Sequence, residues 1–369
     1  MKKISSLEYN TILWFLTRAT FIEITCELIL SKSHQDSWIS ILLAIFIGLI
    51  PFTLYNKLKN KYPNENIITI NQKLGKIGVL FNLILIAGIF IFTLSSFWIV
   101  TNFIDSQYLY KTPTIFIIII LILPVLYTIT KKFHVFSKVS LIMFFTSLIF
   151  IIIILIGLVG NVNIDNIKPI LNNSKENILI SSFYFIGFNI LPLFLLNIIP
   201  KNKIKNYSSK KSYLFYFIST LSLLNVIFLT ISIFGIHLAE LYHYPSFHLL
   251  KRVSVLDIID RIESILSLEW FLALFVQIIM GLYFIKEGLK EIFKVKEKTN
   301  NTISIVTCLI IVILTQIIFK TAGSSNAYFK NELIYILYLT CFILPLITFL
   351  ISKKSKFLNN QNSNNPNNT

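Results

Sequence analysis

The sequence predicts an all-α, polytopic integral membrane protein of ten transmembrane helices. Three observations carry that expectation. Hydrophobic residues fill 55% of the 369 positions and charged residues only 14%, where a soluble domain carries about 25% charged. The apolar residues gather into ten runs, each near the ~20 residues that cross a bilayer. Lys and Arg alternate from one inter-run segment to the next. Such a composition excludes a soluble enzyme, a disordered chain and a secreted disulfide scaffold.

The runs lie near residues 8–30, 38–56, 78–101, 112–130, 136–159, 179–199, 212–238, 265–285, 302–320 and 332–352. They are continuous and rich in Ile and Phe, without the in–out alternation of a barrel strand, so helix is the structure that satisfies their backbone in lipid. The net charge is +16, from 33 Lys and Arg against 17 Asp and Glu. No basic helix or aromatic platform points to nucleic acid, and the charge reads as orientation. Alternate segments hold 23 and 9 of the cations, with Arg18 inside a run. Because loop cations face the cytoplasm, ten spans with both termini cytoplasmic are expected. Arg18, Glu23 and Glu27 in the first run argue against a signal peptide. Cys26, Cys308 and Cys341 are far apart in apolar runs and read as small hydrophobes.

Residues 1–352 are expected to form one membrane-embedded domain. Its first repeat runs to about 160 and its second starts at about 178, and a polar disordered tail covers 353–369. Residues 60–76 read as a short cytoplasmic segment. In 239–264, Phe247, Leu250, Val253, Val255, Ile258, Ile259 and Ile262 recur after Pro245 at helical spacing, which predicts an amphipathic helix on the outer surface.

Ionisable groups inside the runs cost roughly 2.5–3.5 kcal/mol each at a helix centre, so each needs a partner or a cavity. The first run carries Arg18, Thr20, Glu23, Thr25 and Glu27. Glu23 and Glu27 share a helix face, whereas Arg18 and Glu23 meet only if the helix breaks near Ala19–Thr20. Two readings stand: an internal ion pair that fixes packing, or the wall of a ligand cavity. The sixth run is interrupted by Gly187, Asn189 and Pro192, which fits either a proline kink or an unwound stretch against a cavity. Five runs in each half make the second half inverted, with the most interrupted helix opening each. That is the pattern of a LeuT-like 5+5 inverted repeat, with broken helices 1 and 6 around a mid-membrane site. Glu269, Gln277, Asn225, His237 and Gln316 read as hydrogen-bonding partners of neighbouring helices. No phosphate loop, dinucleotide fingerprint, metal spacing or catalytic triad is present, so neither an enzyme nor a cofactor is expected.

Four ordered stretches resemble a known family. Gln35-Asp36-Ser37-Trp38 is similar to its "(Q/P)D(A/G)W", and Tyr62-Pro63 with Leu74-Gly75 to its "YP…LG". Asn166-Ile167-Lys168-Pro169-Ile170-Leu171, then Phe185-Ile186-Gly187-Phe188, resemble "NL(R/K)PVL" and "FxG". Tyr244-Pro245-Ser246 through Arg261-Ile262-Glu263-Ser264 to Trp270 resemble "(Y/W)PS…ERxE(S/A)…W". The family is that of the GerA-type spore germinant receptor B subunits, the endospore germination permeases of the amino acid–polyamine–organocation superfamily. The resemblance implies a spore inner-membrane protein that binds a small-molecule nutrient, often an amino acid. It also implies two partners, a membrane A subunit and a C-subunit lipoprotein. It places the ligand between helices 1 and 6, at Arg18, Ala19, Thr20, Glu23, Phe185, Gly187, Phe188 and Asn189. Where family members often have small residues, this chain has Arg18 and Thr20, and Asn189 stands where Glu is frequent. The alternative reading is a secondary transporter of amino acids or related solutes.

Overall fold

The computed structural model describes residues 2–253, 263–295, 297–319 and 332–354, and it is helical almost throughout. The expected amphipathic run from Val255 to Ile262 and the expected disordered tail lie outside the described residues, the tail apart from residues 353–354.

Helix α1 (Ser6–Arg18) starts on a capping box: Ser5 Oγ accepts the Glu8 amide at 3.1 Å, and Glu8 accepts the Ser5 amide at 3.0 Å. Eleven of its thirteen residues are buried, so it is wrapped on all sides. It ends at Ala19–Thr20. A π-helical turn, Phe21–Thr25, follows, and then α2 (Cys26–Ser33). The chain leaves helical geometry at His34, whose φ is 46°, and continues as α3 (Ser37–Ile47) and α4 (Leu49–Lys61).

The next helices are α5 (Ile67–Gln72), α6 (Lys76–Gln107), α7 (Thr114–Thr130) and α8 (Phe133–Leu158). Then α9 (Lys175–Phe185) passes into a π turn, Ile186–Ile190, and a tight 3-10 stretch, Leu191–Ile198. The second half continues with α10 (Ser209–Leu241), the short helix α11 (Pro245–Leu250), and α12 (Glu263–Leu266). It ends with α13 (Leu268–Phe293), α14 (Glu297–Phe319), α15 (Leu333–Leu337), a π turn Tyr338–Ile343, and α16 (Leu344–Lys354).

Among the described residues, eight helical stretches are long and apolar enough to cross a membrane. The ten apolar runs map onto these eight stretches and one shorter apolar helix for local reasons. The first run is divided at Ala19–Thr20, Cys26–Lys61 is one stretch that includes the His34 turn, and Thr114–Thr130 has only 17 residues. The core is built around α1, the α9 segment and α13. Gly281 lets α13 approach α6 closely: a Cβ there would lie 2.0 Å from Thr93 Oγ1. Helices α7, α8 and α14 turn apolar side chains outward, among them Ile120, Ile156 and Ile313. An apolar exterior of this kind suits hydrocarbon and not water.

Polar groups stitch distant segments. Ile4–Ser5 pairs in parallel with Ile204–Lys205. Lys59, one of the cations counted toward the cytoplasmic side, is instead buried. Its Nζ donates to the carbonyls of Leu196 at 2.7 Å and Ile199 at 3.0 Å, capping the 3-10 stretch. Two of the sequence motifs meet at Asp36. Its carboxylate is fully buried and accepts the amides of Leu171 at 2.7 Å and Asn173 at 2.8 Å. Asp36→Ala is expected to lose about 1.5–3 kcal/mol at this tether, the range for a hydrogen bond to a charged group. Limited proteolysis of the 165–175 segment in detergent-solubilised protein measures it; unchanged cleavage would show the tether to be dispensable.

Candidate functional site

The break in the first helix follows from its chemistry. Thr20 sits at φ −94°, ψ 0°, a sparsely populated region that interrupts the ladder. Carbonyls near a helix end need partners from outside the helix. Thr17 O takes Asn189 Nδ2 at 2.8 Å, and Ala19 O takes Trp270 Nε1 at 2.6 Å. The Thr20 hydroxyl donates to Phe188 O at 2.7 Å. The broken first helix and the π turn of the α9 segment are therefore joined directly, side chain to backbone, in both directions.

This seam is packed. Ala19, Thr20, Phe185, Phe188 and Asn189 are buried. Phe21 and Phe185 meet edge to face at 6.3 Å. A Cβ on Gly187 would approach Ile334 Cγ1 to 2.7 Å, so that position has no room for a larger residue. Asn189 Oδ1 is buried without a hydrogen-bond partner. Glu23 belongs to the Phe21–Thr25 turn.

The open space lies beside Arg18. A cavity of about 110 Å³ is bordered by Arg18, Glu269, Ser222, Asn225 and Ser246, with apolar walls from α8, α10 and α11. Arg18 and Glu269 are each 6% exposed. Arg18 Nε donates to Glu269 Oε1 at 2.8 Å, and its Nη1 donates to Ser222 Oγ. The guanidinium also lies 4.8 Å from the centre of the Trp14 ring. Glu269 Oε1 accepts a second bond from Ser147 Oγ at 3.0 Å, and Ser147 Oγ accepts Trp14 Nε1 at 3.4 Å. Two of the five guanidinium N–H groups thus have partners. Low surrounding polarity strengthens the pair, while desolvation makes either member alone costly.

Of the residues expected at the site, Arg18 borders the cavity; Ala19, Thr20, Phe185, Gly187, Phe188 and Asn189 form the seam behind it. The carboxylate that meets Arg18 is Glu269, 251 positions downstream. Ser222, Ser147 and Trp270 were not singled out as site residues. A usable signal existed in the sequence: Arg18 and Glu269 are opposite charges inside apolar runs, and each requires a counter-charge. Among the described residues, no cluster of three His, Cys, Asp or Glu side chains is placed to hold a metal ion.

A bundle of apolar helices with an interrupted first helix and a charged, buried cavity defines a polytopic membrane protein of permease type. Solved structures of manganese transporter mutants from Eremococcus coleocola share this fold. Two of them align with TM-scores of 0.57 and 0.54 at 14% identity, covering 94% of this chain and 78% of the transporter. The chain belongs to the spore germination protein family, whose model matches residues 12–324. Relatives from Bacillus subtilis include spore germination protein KB, 24% identical over 73% of this chain and 74% of its own length. Another is spore germination protein YndE, 26% identical over 71% of this chain and 73% of its own length.

Proposed function

We propose that this chain is the nutrient-sensing membrane subunit of a spore germinant receptor. It resides in the spore inner membrane as a ten-helix, five-plus-five inverted repeat, with residues 1–352 as one embedded domain and both termini cytoplasmic. It works with a GerA-type A subunit and a C-subunit lipoprotein. One observation carries the reading: in a member of the spore germination family, the first helix breaks beside a buried guanidinium–carboxylate pair that borders a cavity. A zwitterionic nutrient offers a carboxylate to Arg18 and an ammonium to Glu269. About 110 Å³ suits a small solute, well below the roughly 300–1,000 Å³ of drug-sized sites. Entry of such a ligand exchanges the internal pair for two external ones. The strain passes to the seam of Thr20, Phe188 and Asn189, and so to the partner subunits. A ligand shifts that equilibrium only by its differential affinity for the two states.

Arg18→Lys keeps the charge and removes the planar fork, and Asn189→Ala removes the bond to Thr17. Each is expected to shift the nutrient dose response of germinating spores by about tenfold or more, the effect of roughly 1.4 kcal/mol, with the protein still present in the membrane. Dose responses that match the parent in both variants would overturn the site. The transporter-like fold favours a second reading, secondary transport of an amino acid or related solute. Uptake of a radiolabelled amino acid into proteoliposomes would establish it, with Glu23, Glu27 and Glu269 as candidates for proton coupling.

A further inference from the structure

A second concavity is lined by the α9 segment and has a different chemistry. It measures about 320 Å³, and its walls are Ile47, Ile50, Leu179, Ile186, Leu191 and Phe342, with Pro51 in the first turn of α4. Only two polar side chains border it, and both spend their donors on the protein. The one Ser182 hydroxyl proton is shared between the carbonyls of Ser40 and Ile178, each 2.8 Å from Oγ, and Tyr338 donates to Phe183 O at 3.0 Å. The Tyr338 and Phe183 rings stack at 4.1 Å and close one wall. Such a lining offers water few hydrogen-bond partners, and apolar cavities stay dry.

The groove is long as well as apolar. Its wall along the α9 segment runs from Leu179 to Leu191. Twelve residues at 1.5 Å each span about 18 Å. A compact nutrient does not match that shape, whereas an extended hydrocarbon does. Its open side faces outward: Ile50 is 62% exposed and Leu179 52%. All three walls belong to stretches long and apolar enough to cross the membrane: Cys26–Lys61, Lys175–Ile198 and Leu333–Ser352. At that depth the surrounding solvent is lipid hydrocarbon, and an unfilled groove would forfeit the dispersion contacts of its walls.

We propose that this groove is a built site for one acyl chain of a bilayer lipid. The chain lies against Ile186 and Leu191, which bracket the π turn that carries Phe188 and Asn189. Lipid thereby packs against the segment that carries Phe188 and Asn189, and the occupant supports the course of the helix that is bonded to the break in the first one.

Photolabelling tests it. The full-length protein is placed in nanodiscs containing a phosphatidylcholine with a diazirine in one acyl chain, irradiated, and the adducts are mapped by peptide mass spectrometry. Adducts are expected to concentrate several-fold on peptides containing Phe183, Tyr338 and Phe342, relative to the lipid-facing surfaces of α7 and α8. Leu179→Trp fills the groove from its exposed rim and is expected to abolish that excess. Ile50→Trp does the same from the other rim, should the first variant fold poorly. Labelling spread evenly over all outward faces overturns the site, as does an excess that both tryptophan variants leave intact. Labelling by a free diazirine fatty acid but not by the phospholipid overturns the bilayer lipid as the source.

Discussion

Glu269→Gln is expected to destabilise the folded protein by about 3–5 kcal/mol, the cost of leaving one member of a buried ion pair without its counter-charge. Glutamine can still accept the Arg18 Nε–H, but it cannot neutralise a guanidinium that is 6% exposed. The Ser147 hydroxyl loses a charged acceptor at the same step. Thermal unfolding of the purified protein in detergent reads the loss directly, and protein abundance in membranes reads it in cells. The double change Arg18→Met with Glu269→Met removes both charges and is expected to recover most of the stability, since apolar residues of similar volume replace buried pairs at little cost. It is not expected to recover a nutrient response, because no charge remains for a zwitterion to meet. A double variant as unstable as Glu269→Gln would show that the charges do not dominate this region's energetics.

The second large effect is expected at Trp270. Its side chain is 1% exposed, its Nε1–H donates to Ala19 O at 2.6 Å, and its ring lies 4.6 Å from that of Phe103. Trp270→Ala is expected to cost about 3–5 kcal/mol through the cavity it leaves. Trp270→Phe keeps a smaller aromatic ring near Phe103 and leaves the buried carbonyl at the break without its donor, for about 1–3 kcal/mol. The phenylalanine variant therefore separates packing from the tie to the first helix. Its unfolding temperature should fall slightly while its dose response moves more, if that tie shapes the break. Equal changes in both variants would place the whole effect in the hydrogen bond.

Much of the fold is legible from local chemistry. The Ser5–Glu8 capping box marks the start of α1. Helix α1 ends at Ala19–Thr20, the point where a break is the condition for Arg18 and Glu23 to meet, and a π-helical turn follows. Gly187, Asn189 and Pro192 foretell a disturbance in the sixth run, and the structure resolves it as a π turn followed by 3-10 helix. These features are legible because they depend on a few neighbouring residues. Helix count is less so, since it depends on how long each stretch keeps helical geometry. Thr20 and His34 decide that for the first sixty residues through their backbone angles.

The sequence by itself determined an apolar helical membrane protein, the family motifs, and the two interrupted segments. It also determined that Arg18 and Glu269, as charges inside apolar runs, each needed a partner. Only the tertiary structure decided which partner. The acidic residues of its own segment, Glu23 and Glu27, follow Arg18 by five and nine positions, and the counter-charge it meets comes from α13, 251 positions away. It also decided where space remains. Direct bonds from Thr20 and Asn189 close the seam between the two interrupted helices, Trp270 ties the break to α13, and the cavity opens between the first helix and α8, α10 and α11. The physical reason is one of range. Periodicity and caps act over a few residues, whereas pairing and packing depend on which surfaces the folded chain brings together.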